Sequence, residues 1–303
     1  LNDIPFKSTM AFRYGEPEPM APGIVRLVAQ NPGPFTFHGT NTYLVGTTKL
    51  AVIDPGPDDE HHRAAILKAA AGRTISHILI THAHRDHSDG AAKLAALTHA
   101  PVLGYGRTRA DLPFAQTPLI GAGEAFVDVA FAPDIPITHG DVISTPDWTL
   151  HVVHTPGHAP DHLCFAFDAA RALFSGDHMM AWNTTVIAPP EGRMADYMAS
   201  LEFLLQRRDR VYLPGHGGRL EQPQRMVKAH LVHRQMRERA IMAAIRDGAA
   251  TVPEILARVY VDLGANLEKA ASMTVLAHLE HMVERGIIAC EGVPDRAARF
   301  WAV

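Results

Sequence analysis

The stretch Thr81-His82-Ala83-His84-Arg85-Asp86-His87 constrains this chain more than any other. It follows the apolar run Ile78-Leu79-Ile80, which reads as a short buried strand. It precedes a helical segment from Ser88 to His99. In an extended segment His82 and His84 lie two residues apart and point the same way. Asp86 and His87 arrive where the chain turns into the helix and face a second point close by. Four metal-competent side chains packed this tightly can hold two cations a few ångströms apart. The competing reading is a His-rich surface loop, because 19 of the 303 residues are His. The fixed offsets at a strand end count against it.

A chain of this length buries a full core and suggests one large domain with a smaller one. The formal charge of −4 carries no whole-protein argument for nucleic acid or for a membrane surface. Two cysteines, Cys164 and Cys290, cannot build a disulfide framework, which suits a reducing compartment, and a cytoplasmic location is the expectation. Cys164 sits in the apolar run Leu163-Cys164-Phe165-Ala166-Phe167 and reads as a small buried hydrophobe rather than a nucleophile. Neither a signal-peptide pattern nor an apolar run of about 18 residues occurs.

Residues 1–22 read as an irregular Pro-rich arm. Strands are expected over 24–29, 42–45 and 50–53, the last closed by Asp54-Pro55-Gly56-Pro57. Asp54 reads equally as a turn-forming residue and as an acid behind the metal ligands. A helix is expected over 61–71, with His61 and His62 solvated in its first turn. Further strands are expected over 101–105, 142–143, 149–154, 163–167, 172–174 and 211–213, with a loop over 112–125 and a helix over 195–206. Strand after strand ends in a Gly or Pro turn with a His or Asp at its tip, so chemistry is carried on loops above a rigid framework. Two sheets with helices outside is the layered architecture this order supports.

Three of those tips are His158, in Thr155-Pro156-Gly157-His158, Asp177, in Ser175-Gly176-Asp177, and His216, in Pro214-Gly215-His216-Gly217. With His82, His84, Asp86 and His87 they make seven candidate ligands. That number suits two four- or five-coordinate metals sharing one carboxylate and one water. Nitrogen and oxygen donors without thiolate suit Zn2+ first, with iron and manganese as alternatives. This motif series resembles the metallo-β-lactamase superfamily in order and spacing. The resemblance implies an αββα sandwich. It also implies one metal on His82, His84 and His158, a second on Asp86, His87 and His216, and Asp177 bridging them. Two divalent cations would bring a shared water to hydroxide near neutral pH, with Asp86 and Asp177 as the catalytic carboxylates that fix the metals and accept a proton. His162 reads as an orienter of the ligands, and neither it nor His178 is assigned as the acid for the leaving group.

A narrower resemblance rests on Asn31-Pro32-Gly33-Pro34, Gly39-Thr40-Asn41-Thr42-Tyr43, Thr184-Thr185-Val186, Asp196-Tyr197-Met198 and the C-terminal region. These look like the β-lactamase-like group that includes a mitochondrial endoribonuclease and carries a small winged helix after the catalytic fold. The expected division is therefore a catalytic domain over 1–222 and a linker helix plus winged helix over 223–303. Helices are read over 223–246, 251–260 and 267–285, with a wing from 287–290 and 299–303. Thr251-Val252-Pro253-Glu254 has the form of a capping box. Residues 219–303 hold 12 Lys+Arg against 10 Asp+Glu, leaving 16 against 22 in the remainder. The helix in the recognition position carries Glu268, Glu280 and Glu284 against Lys269 and Arg285 and is a poor reader of double-stranded DNA, so a packing and substrate-flanking role is expected of it. The Arg225, Lys228, Arg234, Arg237 and Arg239 face of the linker helix is the better phosphate-contact candidate, with a plain solvated helix face as an equal alternative.

The leading expectation is phosphodiester hydrolysis of single-stranded RNA, and the alternative is hydrolysis of a small carbonyl substrate: a lactone, thioester or β-lactam. Family β-lactamases usually replace the bridging carboxylate with Cys or Ser, so Asp177 disfavours that activity, and certain dinuclear lactonases carry Tyr where this chain has Met180. Glyoxalase-type thioesterases have a different, helical C-terminal region. A winged-helix regulator on a dead hydrolase fold is set aside because all seven ligands are present.

Overall fold

Runs such as 50–53 and Leu163–Phe167 are apolar at successive positions, so a strand made from them needs cover on both faces. The computed structural model describes residues 4–106, 126–260 and 267–303 and supplies that cover with two sheets packed face to face and helices outside each. The first sheet has seven strands in sequence order: β1 (Glu18–Ala21), β2 (Ile24–Val28), β3 (Asn41–Val45), β4 (Lys49–Ile53), β5 (Thr74–Leu79), β6 (Val102–Tyr105) and β7 (Ile135–Ile137). The second is β12-β11-β10-β9-β8, with β8 Val142–Thr145, β9 Trp148–His154, β10 Leu163–Phe167, β11 Ala172–Gly176 and β12 Val211–Pro214. Pairing is antiparallel except for β4–β5, β5–β6, β6–β7 and β11–β12, which are parallel.

Strand alternation sorts side chains between layers. Along β10, Leu163, Phe165 and Phe167 enter the core between the sheets, where they meet Ile53 and Leu79 from the first sheet. Cys164 and Ala166 face outward onto α4 (Met194–Leu205) and α5 (Pro223–Arg246). On the other side Leu50, Val52 and Ile78 pack against α1 (Glu60–Ala70) and α3 (Ala91–Thr98). Between β5 and α3 lies the four-residue α2 (Arg85–Ser88).

The C-terminal end of α5 and the chain beyond it form a second core from Ile241, Ile245, Val252, Ile255, Val275, Leu279, Ile288 and Phe300. It is built on α6 (Val252–Val259), α7 (Glu268–Glu284) and the hairpin β13–β14 (Ile288–Cys290, Phe300–Ala302), the expected helix-helix-wing order. The Glu254 carboxylate accepts the Ala250 and Thr251 N–H groups at 2.8 and 3.1 Å, as a capping box requires.

Several expectations need correction. The arm over 1–22 ends in a strand, β1, and β7 has no clear alternation to announce it. His62 is not solvated: it is buried, with Nε2 2.7 Å from Thr42 Oγ1, while His61 is exposed. The helix expected from Ser88 is two, broken at Asp89-Gly90. Arg234 and Arg237 belong to no solvated basic face, since both are buried. The loop expected over 112–125 lies outside the described residues. No helix among the described residues is long and apolar enough to cross a membrane.

Candidate metal centre

The C-terminal ends of β5, β9, β11 and β12 meet at one mouth of the sandwich, and each delivers its tip residues there. His82 Nε2 lies 2.9 Å from His84 Nδ1, which lies 3.1 Å from His158 Nε2, so three ring nitrogens converge on one point. Beside it Asp86 Oδ2 sits 3.1 Å from His216 Nε2 and 3.4 Å from His87 Nε2. Asp177 spans the two groups: Oδ1 is 3.5 Å from His87 Nε2, and Oδ2 is 3.3 Å from His216 Nε2 and 3.8 Å from His158 Nε2. All seven residues singled out in the sequence are therefore gathered in one place.

Close approach requires missing side chains elsewhere. A Cβ on Gly215 would lie 2.6 Å from both Asp177 Oδ1 and His87 Cε1. Gly176 has φ +46°, and a Cβ there would lie 2.6 Å from His162 Nε2.

A second ring of groups aims the ligands. Asp54, held at φ +50°, accepts His87 Nδ1–H at 2.9 Å and the Thr81 N–H and hydroxyl at 2.8 Å each. With its hydroxyl proton given to Asp54, Thr81 Oγ1 receives His82 Nδ1–H at 2.9 Å. One carboxylate thus stands behind an imidazole of each metal group, and the acid reading of Asp54 is the one its contacts fit. His158 Nδ1 donates to the Val186 carbonyl at 2.7 Å and His216 Nδ1 to the Gly39 carbonyl at 3.2 Å. His162 Nε2 accepts the Asp177 N–H at 3.1 Å, which is the orienting role expected of it. His178 turns away, its ring against Tyr197. Sequence reasoning missed Glu191, 3.3 Å from His84 Nε2, and Asp161, which accepts the Ala83 N–H at 2.9 Å. Asp161 was legible beside His162 in the same turn, whereas Glu191 arrives from a Pro-rich loop with no pattern of its own.

The donor chemistry fits a pair of divalent cations. Burial, reinforced by neighbouring imidazoles, holds His82 well below its ordinary pKa and His158 at about 4, so both present neutral lone pairs. Burial alone would lower His87 and His216 too, but facing carboxylates win, raising His87 well above its usual value and His216 to about 9. Asp86 and Asp177 stay ionised and favour a proton on the facing imidazoles, in the place where a cation would otherwise supply the charge. His87 Nε2 and Asp177 Oδ1 are buried with no hydrogen-bond partner among the described residues, as two atoms reserved for a shared ion would be.

Above the cluster opens a cleft of about 290 Å³, walled by Phe35, Phe126, Met180, Trp182, Val186 and Met273. Phe35 and Phe126 meet edge to face at 5.6 Å, and Trp182 stacks on Phe37 at 4.9 Å. Among the described lining residues Lys269 is the one Lys or Arg.

Comparison with known proteins agrees with this architecture. Residues 35–216 match the family model described as the metallo-beta-lactamase superfamily, and residues 251–296 match the beta-lactamase associated winged helix domain. Lactamase-like protein adaB of Aspergillus niger is 30% identical over 96% of this chain and 89% of its own length. Atrochrysone carboxyl ACP thioesterase nsrC of Aspergillus novofumigatus is 30% identical over 81% of this chain and 73% of its own. The crystal structure of a metallo-beta-lactamase family protein from Thermus thermophilus superposes with a TM-score of 0.76 at 25% identity, covering 94% of this chain and all of that one. The chain belongs to the metallo-β-lactamase superfamily of metal-dependent hydrolases and carries that family's associated winged helix.

Proposed function

We propose that this hydrolase cleaves an acyl thioester, or a closely related activated ester, whose acyl group lies in the apolar cleft above the metal centre. The observation that carries the reading is the cleft itself. Its walls are aromatic and aliphatic side chains, and they fit an acyl body rather than a polyanionic backbone, which needs a track of cations. The similarity to a relative named as an acyl carrier protein thioesterase points the same way. The RNA-cleaving expectation is weakened, because two of the five cations of the supposed phosphate-contact face, Arg234 and Arg237, are buried.

His82, His84 and His158 would hold one cation and Asp86, His87 and His216 the other, with Asp177 between them. When bound, such ions supply Lewis acidity and a nucleophile at neutral pH. The protein's own contribution is positional. Asp54, the Val186 and Gly39 carbonyls and Glu191 fix the imidazoles, so little reorganisation accompanies reaction. Asp86 and Asp177 are the carboxylates placed to take the proton released on hydrolysis. Phe35, Phe126 and Trp182 exclude water from the acyl group and set its direction.

The test is parallel turnover by metal-replete protein of arylacyl and alkylacyl thioesters, a lactone, a β-lactam and labelled single-stranded RNA, with His84→Ala as control. Thioester turnover that His84→Ala abolishes is expected. RNA cleavage with every carbonyl substrate inert would overturn the reading.

A further inference from the structure

We propose that the winged helix serves as the substrate-selecting lip of the cleft, and that Lys269 on it pairs with an anionic group of the substrate remote from the scissile carbonyl. This deepens the thioester reading and rests on it for the reaction, though not for the binding. The helix that would enter a nucleic-acid groove in a winged-helix reader, α7, is spent on contacts within the chain: Ala271 to Leu279 and Met282 are buried. Its first two turns face the catalytic domain and give Lys269, Ala270 and Met273 to the cleft wall. Met273 is buried and continues the apolar lining, whereas Lys269 is exposed at the edge.

The charges in the cleft are segregated. Asp86, Asp177 and Glu191 lie at the metal end, and Lys269 is the cation on the wall contributed by the second domain. Among the described residues no hydrogen bond or ion pair ties Lys269 down. A flexible ammonium at the rim of a low-dielectric cleft attracts an anion more strongly than it would on an open surface. A ligand that fits is therefore amphipathic: a reactive carbonyl at the metals, an apolar body along Phe126, Trp182 and Met273, and a carboxylate or phosphate at Lys269. Such an anion has two sources in a thioester, a phosphate on the thiol carrier or a carboxylate at the far end of the acyl chain.

Both sources are tested with one arylacyl group presented in three forms: on neutral N-acetylcysteamine, on phosphopantetheine, and with an ω-carboxylate on neutral thiol. The kcat/KM of wild type, Lys269→Ala, Lys269→Arg and, as a surface control away from the cleft, Lys228→Ala is measured for each. Calorimetric binding of the matching thioether analogues, which cannot be hydrolysed, accompanies it. Lys269→Ala should cost about 5- to 10-fold on one anionic form and leave the neutral form unchanged, the scale of a partly desolvated ion pair. Lys269→Arg should restore most of it, and Lys228→Ala should change nothing. The form that responds identifies the source of the anion. If the analogues show the Lys269-dependent preference while no thioester is hydrolysed, the thioester reading fails and the anion site stands. If thioesters turn over but Lys269→Ala affects all three forms equally, or none, the proposal is wrong.

Discussion

Asp54 shows how much of the site depends on a residue that touches no metal. Its two oxygens take Thr81 and His87 directly and His82 through the Thr81 hydroxyl, so its loss loosens one imidazole in each metal group. Asp54→Ala should fold and still weaken metal binding by about 10- to 100-fold, read by competition with a chromogenic chelator. Unchanged affinity would mean that Asp54 only shapes its turn. Gly215→Ala tests crowding at the same scale. The new methyl meets Asp177 Oδ1 and His87 Cε1, so the protein should lose at least one ion by elemental analysis and about 100-fold in kcat/KM. The candidate ligands themselves were legible because metal chemistry restricts residue type and strand ends restrict spacing. The groups behind them were not: a backbone carbonyl such as Val186, or a glutamate brought in by a loop such as Glu191, leaves no trace in local sequence.

At the scale of elements, the long helix α5 separates what periodicity can and cannot say. Its bounds, Pro223 to Arg246, follow from a proline at the first turn and an unbroken helical pattern. Its basic stripe is only part of what it looks like in sequence: Arg225, Lys228 and Arg239 are exposed but Arg234 and Arg237 are buried, because charge in a sequence does not reveal whether a partner waits. Arg234 donates to the Thr185 carbonyl and lies 5.2 Å from the Tyr197 ring centre, and Arg237 donates to the Val259 carbonyl and lies 4.0 Å from that of Tyr260. Glu238 joins the same helix to α7, with His281 Nδ1 at 2.8 Å, Arg285 Nη1 at 3.4 Å and His278 Nδ1 at 3.5 Å. Burial raises its pKa, but the two histidines outweigh burial and hold it at about 2. A carboxylate whose folded value lies below its unfolded value stabilises above the unfolded value, and that contribution fades as pH falls toward the folded one. Glu238→Gln should therefore cost about 2 kcal/mol in urea melts near pH 6, a deficit that narrows by about 1 kcal/mol near pH 4. A deficit independent of pH would assign Glu238 to packing alone.

Over the whole molecule, the two domains divide one task, since the sandwich holds the chemistry and the winged helix completes the wall in front of it. The layered fold was readable from strands that run apolar on both faces, and the second domain from its helix-helix-wing order. The way the domains share a cleft was not, because it depends on which side of α7 turns inward, and Lys269, Ala270 and Met273 carry no common signature. Charge distribution bears on the choice of partner. The C-terminal residues 219–303 hold 12 cationic against 10 anionic side chains and the rest of the chain 16 against 22. Two of the 12 cations are Arg234 and Arg237, which are buried. Counterion release supplies nearly all non-specific affinity for nucleic acid, with a slope of about −0.7 per phosphate neutralised on a single strand. A surface that neutralises few phosphates should thus bind labelled single-stranded RNA weakly, with a log–log salt slope no steeper than about −1. The measurement is fluorescence anisotropy from low to physiological salt on metal-loaded His84→Ala, so that cleavage does not consume the probe. A slope near about −4 with submicromolar affinity would show a cation track, and the winged helix would then have to be reassigned as part of a nucleic-acid surface.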